Sequence, residues 1–153
     1  EYSKTNLEWL AGKWKMENGK WQLQVADATE HTWDFSKLKT QNSKLCVAAE
    51  TFLGKPLAHL PPGDQLSKVI YDANYINHQF LLNIATQIPS GARLALGVPT
   101  WRGKHEFLHL PLLDHLTDMG YTRVRFRHAD NQDLIYHRDN QIVGRELLVL
   151  EKR

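Results

Sequence analysis

Apolar and polar residues alternate along much of this chain with a period of two. Trp21, Leu23 and Val25 are separated by Gln22 and Gln24, and His31, Trp33 and Phe35 repeat the pattern. Side chains of a strand point alternately to its two faces, so short alternating runs predict half-buried strands. Residues 45–52, 66–71 and 75–84 are read the same way. In the last of these, Ile76, His78, Phe80, Leu82 and Ile84 share one face, while Tyr75, Asn77, Gln79, Leu81 and Asn83 share the other. Residues 93–98, 121–127, 134–138 and 142–151 complete the predicted strands, with Leu147 and Val149 on the face of Arg145.

Turn signals punctuate these runs. Asn18-Gly19 between residues 13–17 and 20–25 predicts a tight hairpin, because a type I′ turn needs positive φ at both central positions. Pro56, Pro61, Pro62 and Gly63 make residues 54–64 irregular. Pro89-Ser90-Gly91, Ala129-Asp130-Asn131 and Asp139-Asn140 turn the chain again. Helix is predicted in two places only. Thr5-Asn6-Leu7-Glu8 is a capping box whose short helical turn stops at Gly12. Pro111 suits a first helical turn, Leu112, Leu113 and Leu116 share a face, and Gly120 ends a helix over 111–118. Many short strands with little helix predict a mainly β protein, an antiparallel barrel or sandwich in one domain spanning residues 1–153. The alternative is a curved open sheet wrapped on the helix.

At Gly12-Lys13-Trp14, after the capped turn, the chain resembles the lipocalins and the wider calycin group. That resemblance implies an antiparallel up-and-down β-barrel in which Gly12 and Trp14 are structural. Trp14 would close the barrel floor, and a basic residue from a late strand, Arg145 first and Arg123 second, would cover the indole. A guanidinium stacked on indole gains roughly 0.5–2 kcal/mol. The resemblance concerns architecture and this motif, and does not name a ligand.

Composition narrows the function classes. A net charge of +2 is too mild to imply nucleic acid, which needs a concentrated basic face. No apolar run is long enough for a membrane span. Cys46, the single cysteine, sits among Leu45, Val47 and Ala48 and reads as a buried, inert thiol. The first residue is Glu1, which points to a secreted or periplasmic form or to trimming.

Candidate chemistry comes in four sets. Rings on many strands, among them Trp33, Tyr71, Tyr75, Phe80, Trp101 and Tyr136, would wall a barrel cavity for a flat ligand. Tyr121, Arg123, Arg125 and Arg127 share one strand face, where Arg123 and Arg125 would hold an anionic group if the face turns inward. The more apolar opposite row, Thr122, Val124 and Phe126, favours a solvated arginine face. His105, His109 and His115 lack the companion ligands of a metal site. His78, on an otherwise apolar face, and Tyr75 are the acid–base candidates should the protein be an enzyme, with Glu50, Asp72 and Asp114 behind them.

These observations support binding of a small, largely hydrophobic ligand, with an anionic or aromatic part, inside a barrel. No cofactor, metal or nucleic acid is expected, and a homodimer is compatible with the sequence. A barrel isomerase or cyclase, and an interaction domain presenting a basic face, are the alternatives.

Overall fold

The computed structural model describes residues 2–13, 23–35, 45–103 and 106–153. Helix α1 spans Tyr2–Lys13 and buries none of its residues. Strand β1 (Cys46–Glu50) leads through an irregular segment into helix α2 (Gly63–Ala85). Strands β2 (Arg93–Arg102) and β3 (Phe107–Leu108) follow, then a 3₁₀ helix at Pro111–His115. Strands β4 (Tyr121–Arg123), β5 (Ile135–Tyr136) and β6 (Val143–Lys152) close the chain.

The fold is a mixed, open sheet in the order β1-β2-β6-β4, not the antiparallel up-and-down barrel that the alternation predicted. β1 pairs parallel with β2, and α2 is the crossover between them. A parallel pair needs such a crossover, whereas the predicted hairpins would have made every pair antiparallel. β6 is antiparallel to both β2 and β4, so β1, β2 and β4 run one way and β6 the other. β3 adds to the end of β2, and β5 adds to β6.

The largest departure from expectation is α2. Residues 66–71 and 75–84 form one continuous helix instead of two strands. The buried positions Leu66, Ala73, Asn77, Leu81 and Ile84 recur at helical spacing. The period-two reading of 75–84 left apolar residues on both faces, while the helical period puts Ala73, Asn77, Leu81 and Ile84 on one buried stripe and leaves Leu82 exposed. Pro61 and Pro62 stop the preceding segment, and Asp64 places a carboxylate in the positive first turn.

Other expectations hold or shift by residues. The predicted strands at 45–52 and 134–138 contain β1 and β5, and those at 93–98 and 142–151 overlap β2 and β6, which run on to Arg102 and Lys152. The predicted helix at 111–118 is a 3₁₀ helix followed by turns, and Gly120 takes φ +80° where the stop was expected. α1 is longer than the predicted turn: Thr5 lies inside it, and it runs through Gly12. Leu23, Val25 and residues 31–35 are not strand, and Val25 is fully exposed. The Asn18-Gly19 hairpin, Trp14 and Trp21 lie outside the described residues.

One face of the sheet carries the core. Leu94, Leu96 and Val98 of β2 and Leu148 and Leu150 of β6 are at most 2% exposed, beneath α2. Leu110, Leu112, Leu116 and Met119 extend this core under the 3₁₀ helix. On the other face Cys46, Ala48, Ala95 and Leu147 are exposed, so the thiol expected to be buried is open to solvent. The ion pair Arg93–Glu151 links the neighbouring strands β2 and β6 there, and Arg145–Glu50 spans β2 to join β6 with β1.

Polar side chains of α2, and Gln87 just after it, fasten the loops. Buried Asn77 donates to the carbonyls of Ala73 at 2.9 Å and Phe52 at 3.1 Å, pinning the chain beyond β1. Asn74 Oδ1 accepts from the Leu112 backbone N–H at 2.8 Å and so caps the 3₁₀ helix. Asn83 and Gln87 hold the His31 carbonyl, and Gln87 Oε1 accepts from the Trp33 N–H.

Candidate functional site

A cavity of about 950 Å³ opens where β2 and β4 end. Thr100 reaches it from the end of β2, Arg123 from the end of β4, and Glu146 from the beginning of antiparallel β6. In open α/β sheets, ligands bind in the crevice outside the carboxyl ends of parallel strands, because side chains from several loops converge there. The cavity therefore occupies the position this topology favours.

Each wall has a local cause. Thr100, fully buried, donates its hydroxyl to the Leu108 carbonyl at 2.9 Å and so fixes β3 across the end of β2. That pairing, Arg102 opposite Phe107, sets Phe107 and Leu108 along one side. Leu110 anchors the chain in the core, and the capped 3₁₀ helix brings Pro111, Leu113 and Asp114 to the mouth. The opposite side is the turn of Asn131 and Gln132, held by the Asp130 carboxylate accepting from the Gln132 N–H at 2.8 Å. Ile135 of β5 and Ile70 of α2 complete the apolar lining.

An ion pair stands in the cavity wall. Arg123 Nη2 donates to Glu146 Oε1 at 2.6 Å, with the two side chains 21% and 5% exposed. Near the mouth, His109 Nε2 stands 3.6 Å from Asp114 Oδ2, both well exposed. Three carboxylates, Glu106, Asp114 and Glu146, thus face one guanidinium, with His109 beside them. With Arg123 already neutralised by Glu146, Glu106 and Asp114 leave the lining net acidic. Phe107, Leu108, Leu113 and Ile135 make apolar walls, and the Arg123 guanidinium offers N–H donors.

Of the ligand-binding residues expected from sequence, this cavity gathers Arg123 alone. Tyr71 and Tyr75 are 67% and 56% exposed on the outside of α2. His78 is half-buried on the same helix and, like Tyr75, is not part of the cavity, so the expected acid–base pair is not assembled there. Phe80 packs edge-on against Trp33 with ring centres 6.4 Å apart, a contact that seats residues 31–35 on α2. Trp101 is fully buried at the end of β2, and its indole N–H has no partner among the described residues. Tyr136 is exposed, and the hydrogen bond from Arg138 lowers the pKa of its phenol. Arg125 lies beyond the end of β4 in solvent, as does Arg127.

Arg145 bonds Glu50, and the Trp14 it was expected to cover lies outside the described residues. Gly12 is an ordinary position within α1. Against protein-family models and against curated proteins, the chain finds no match. Nothing identifies it as a calycin, and the open sheet replaces the barrel which that resemblance implied. No group of three or more metal-ligating side chains occurs among the described residues, and no described helix is long and apolar enough to cross a membrane.

Glu146 is the functional candidate that sequence reasoning missed. It lies one residue from Arg145 inside an apolar run and shares its face with Leu148 and Leu150, which are inward. A carboxylate at an inward strand position requires a charged partner, and that pattern was available in the sequence.

Proposed function

We propose that the protein binds one small molecule with apolar, flat faces and a carbonyl-type acceptor, in the cavity at the carboxyl ends of β2 and β4. The reading keeps the small, largely apolar ligand expected from sequence and moves it from a barrel interior to the sheet's edge. The observation that carries it is the position of the Arg123–Glu146 pair, nearly buried yet lining an open cavity. Phe107, Leu108, Ile135 and Leu113 supply apolar contact, and Arg123 supplies donors to an acceptor. Glu146 cancels the charge of Arg123, and Glu106 and Asp114 add negative charge, so a neutral acceptor fits better than a full anion.

Two probes with the same ring test this: benzamide, neutral, and benzoate, anionic. Titrated into labelled protein, benzamide is expected to shift the amide resonances of Phe107, Leu108 and Arg123, and benzoate to bind more weakly. Shifts scattered over the surface, or none from either probe, would refute the site. Tighter binding of benzoate would refute the charge argument.

A further inference from the structure

We infer that Glu146 is a positioning residue: it holds the Arg123 guanidinium in the cavity wall and so sets how tightly the cavity takes a carbonyl group. The inference rests on the proposed reading of the cavity. Its own support is the unequal anchoring of the two partners.

Glu146 stands on a ten-residue strand, opposite Val98 of β2 on one side and Ile135 of β5 on the other. Its backbone is therefore fixed from both flanks, and its side chain is nearly buried. Arg123 is the last residue of a three-residue strand. Its Cα is in register with Leu150, yet its guanidinium bonds Glu146, four residues away along β6. The side chain thus runs along the sheet toward the cavity, and one hydrogen bond holds its tip. Among the described residues, Nε and Nη1 have no protein partner. A guanidinium presents its donors in a rigid plane, so fixing one nitrogen orients the others. Buried ion pairs are weak sources of stability compared with apolar replacements, which argues that this pair is more than a staple.

The test compares Glu146→Gln, Arg123→Met and their combination with the natural protein, in two measurements. The first is the order parameter of the Arg123 Nε–H bond from nitrogen relaxation. The second is the dissociation constant for benzamide. Expected for Glu146→Gln is a folded protein whose Arg123 tip becomes mobile and whose benzamide affinity falls roughly tenfold, as loss of one oriented hydrogen bond implies. Arg123→Met should weaken benzamide by as much, and the double variant no further, because one residue acts through the other. If Glu146→Gln fails to fold, Glu146→Asp, which withdraws the carboxylate by one methylene, is read in the same way.

Wild-type affinity and an ordered Arg123 in the Glu146 variant, alongside weak binding in Arg123→Met, would overturn the positioning role and leave the cavity reading intact. Unchanged benzamide binding in Arg123→Met would overturn the cavity reading and the inference with it.

Discussion

Removing a single hydroxyl, in Tyr121→Phe, probes the join between α2 and the sheet through the pH dependence of stability. Tyr121 is fully buried, and its hydroxyl donates to the Leu81 carbonyl at 2.8 Å. Burial raises the pKa of its phenol above the ordinary value. The native protein then keeps this proton at pH values where the unfolded chain, with a phenol pKa of about 10, has lost it. Below about pH 10 both states are protonated, and the hydroxyl contributes its full hydrogen bond, about 1 kcal/mol net. Above about pH 10 the unfolded chain binds one proton fewer, so stability falls by about 1.4 kcal/mol per pH unit until the folded pKa is reached.

Phenylalanine keeps the ring and its contact with Lys152 but has no proton to hold. The variant should start about 1 kcal/mol below the natural protein at neutral pH, and the two curves should meet roughly 0.7 units above pH 10. The assay is urea unfolding followed by circular dichroism, repeated from pH ~8 to pH ~11. Tyr136, lowered by Arg138, titrates in both proteins and cancels from the difference. Parallel curves for the two proteins across that range would refute the burial argument.

Other consequences follow from the same packing. Leu148→Ala should cost about 2–5 kcal/mol and the adjacent Leu147→Ala well under 1 kcal/mol, since only the former is buried; denaturant midpoints decide. Gly144→Val should destabilise by about 1–3 kcal/mol, because an added Cβ would meet the Thr100 side chain at 3.1 Å and the Tyr136 carbonyl at 3.2 Å; thermal unfolding reads this. Asn77→Leu should free the Phe52 carbonyl and speed proteolysis between β1 and α2, at a cost of about 1–3 kcal/mol. His78→Ala and Tyr75→Ala should leave benzamide binding unchanged, since neither side chain lines the cavity; weakened binding would return the site to α2.

The sequence made the late strands legible because β6 and β2 are long, apolar and bounded by turn residues. Gly91 and Gly120 sit at positive φ where turns were expected, since that conformation favours glycine. α2 was not legible as a helix, for a definite reason. Residues 75–84 alternate well enough to pass for a strand, and the helical stripe of Ala73, Asn77, Leu81 and Ile84 is masked because one of its members, Asn77, is polar. Misreading that helix removed the crossover, and without a crossover no parallel pair is possible. The barrel followed, and with it an aromatic lining from Tyr71, Tyr75 and Phe80 that the helix instead distributes over its own surface.

Arg123 was legible as a candidate, but its face was not. The sequence puts Tyr121, Arg123, Arg125 and Arg127 on one face and favours solvent for it, whereas the strand ends at Arg123. Tyr121 and Arg123 therefore turn inward while Arg125 and Arg127 remain in water. Strand length, which depends on pairing with β6, decided what the pattern of the row alone did not.

The account depends on β1 and β2 running side by side in the same direction with α2 between them. Backbone nuclear Overhauser contacts test this most directly. The structure predicts cross-strand contacts in the parallel pattern around Ala48 and Ala95, with helical carbon shifts throughout 63–85. Strand-type shifts at 66–71 and 75–84, with antiparallel contacts linking those segments to their neighbours, would contradict it.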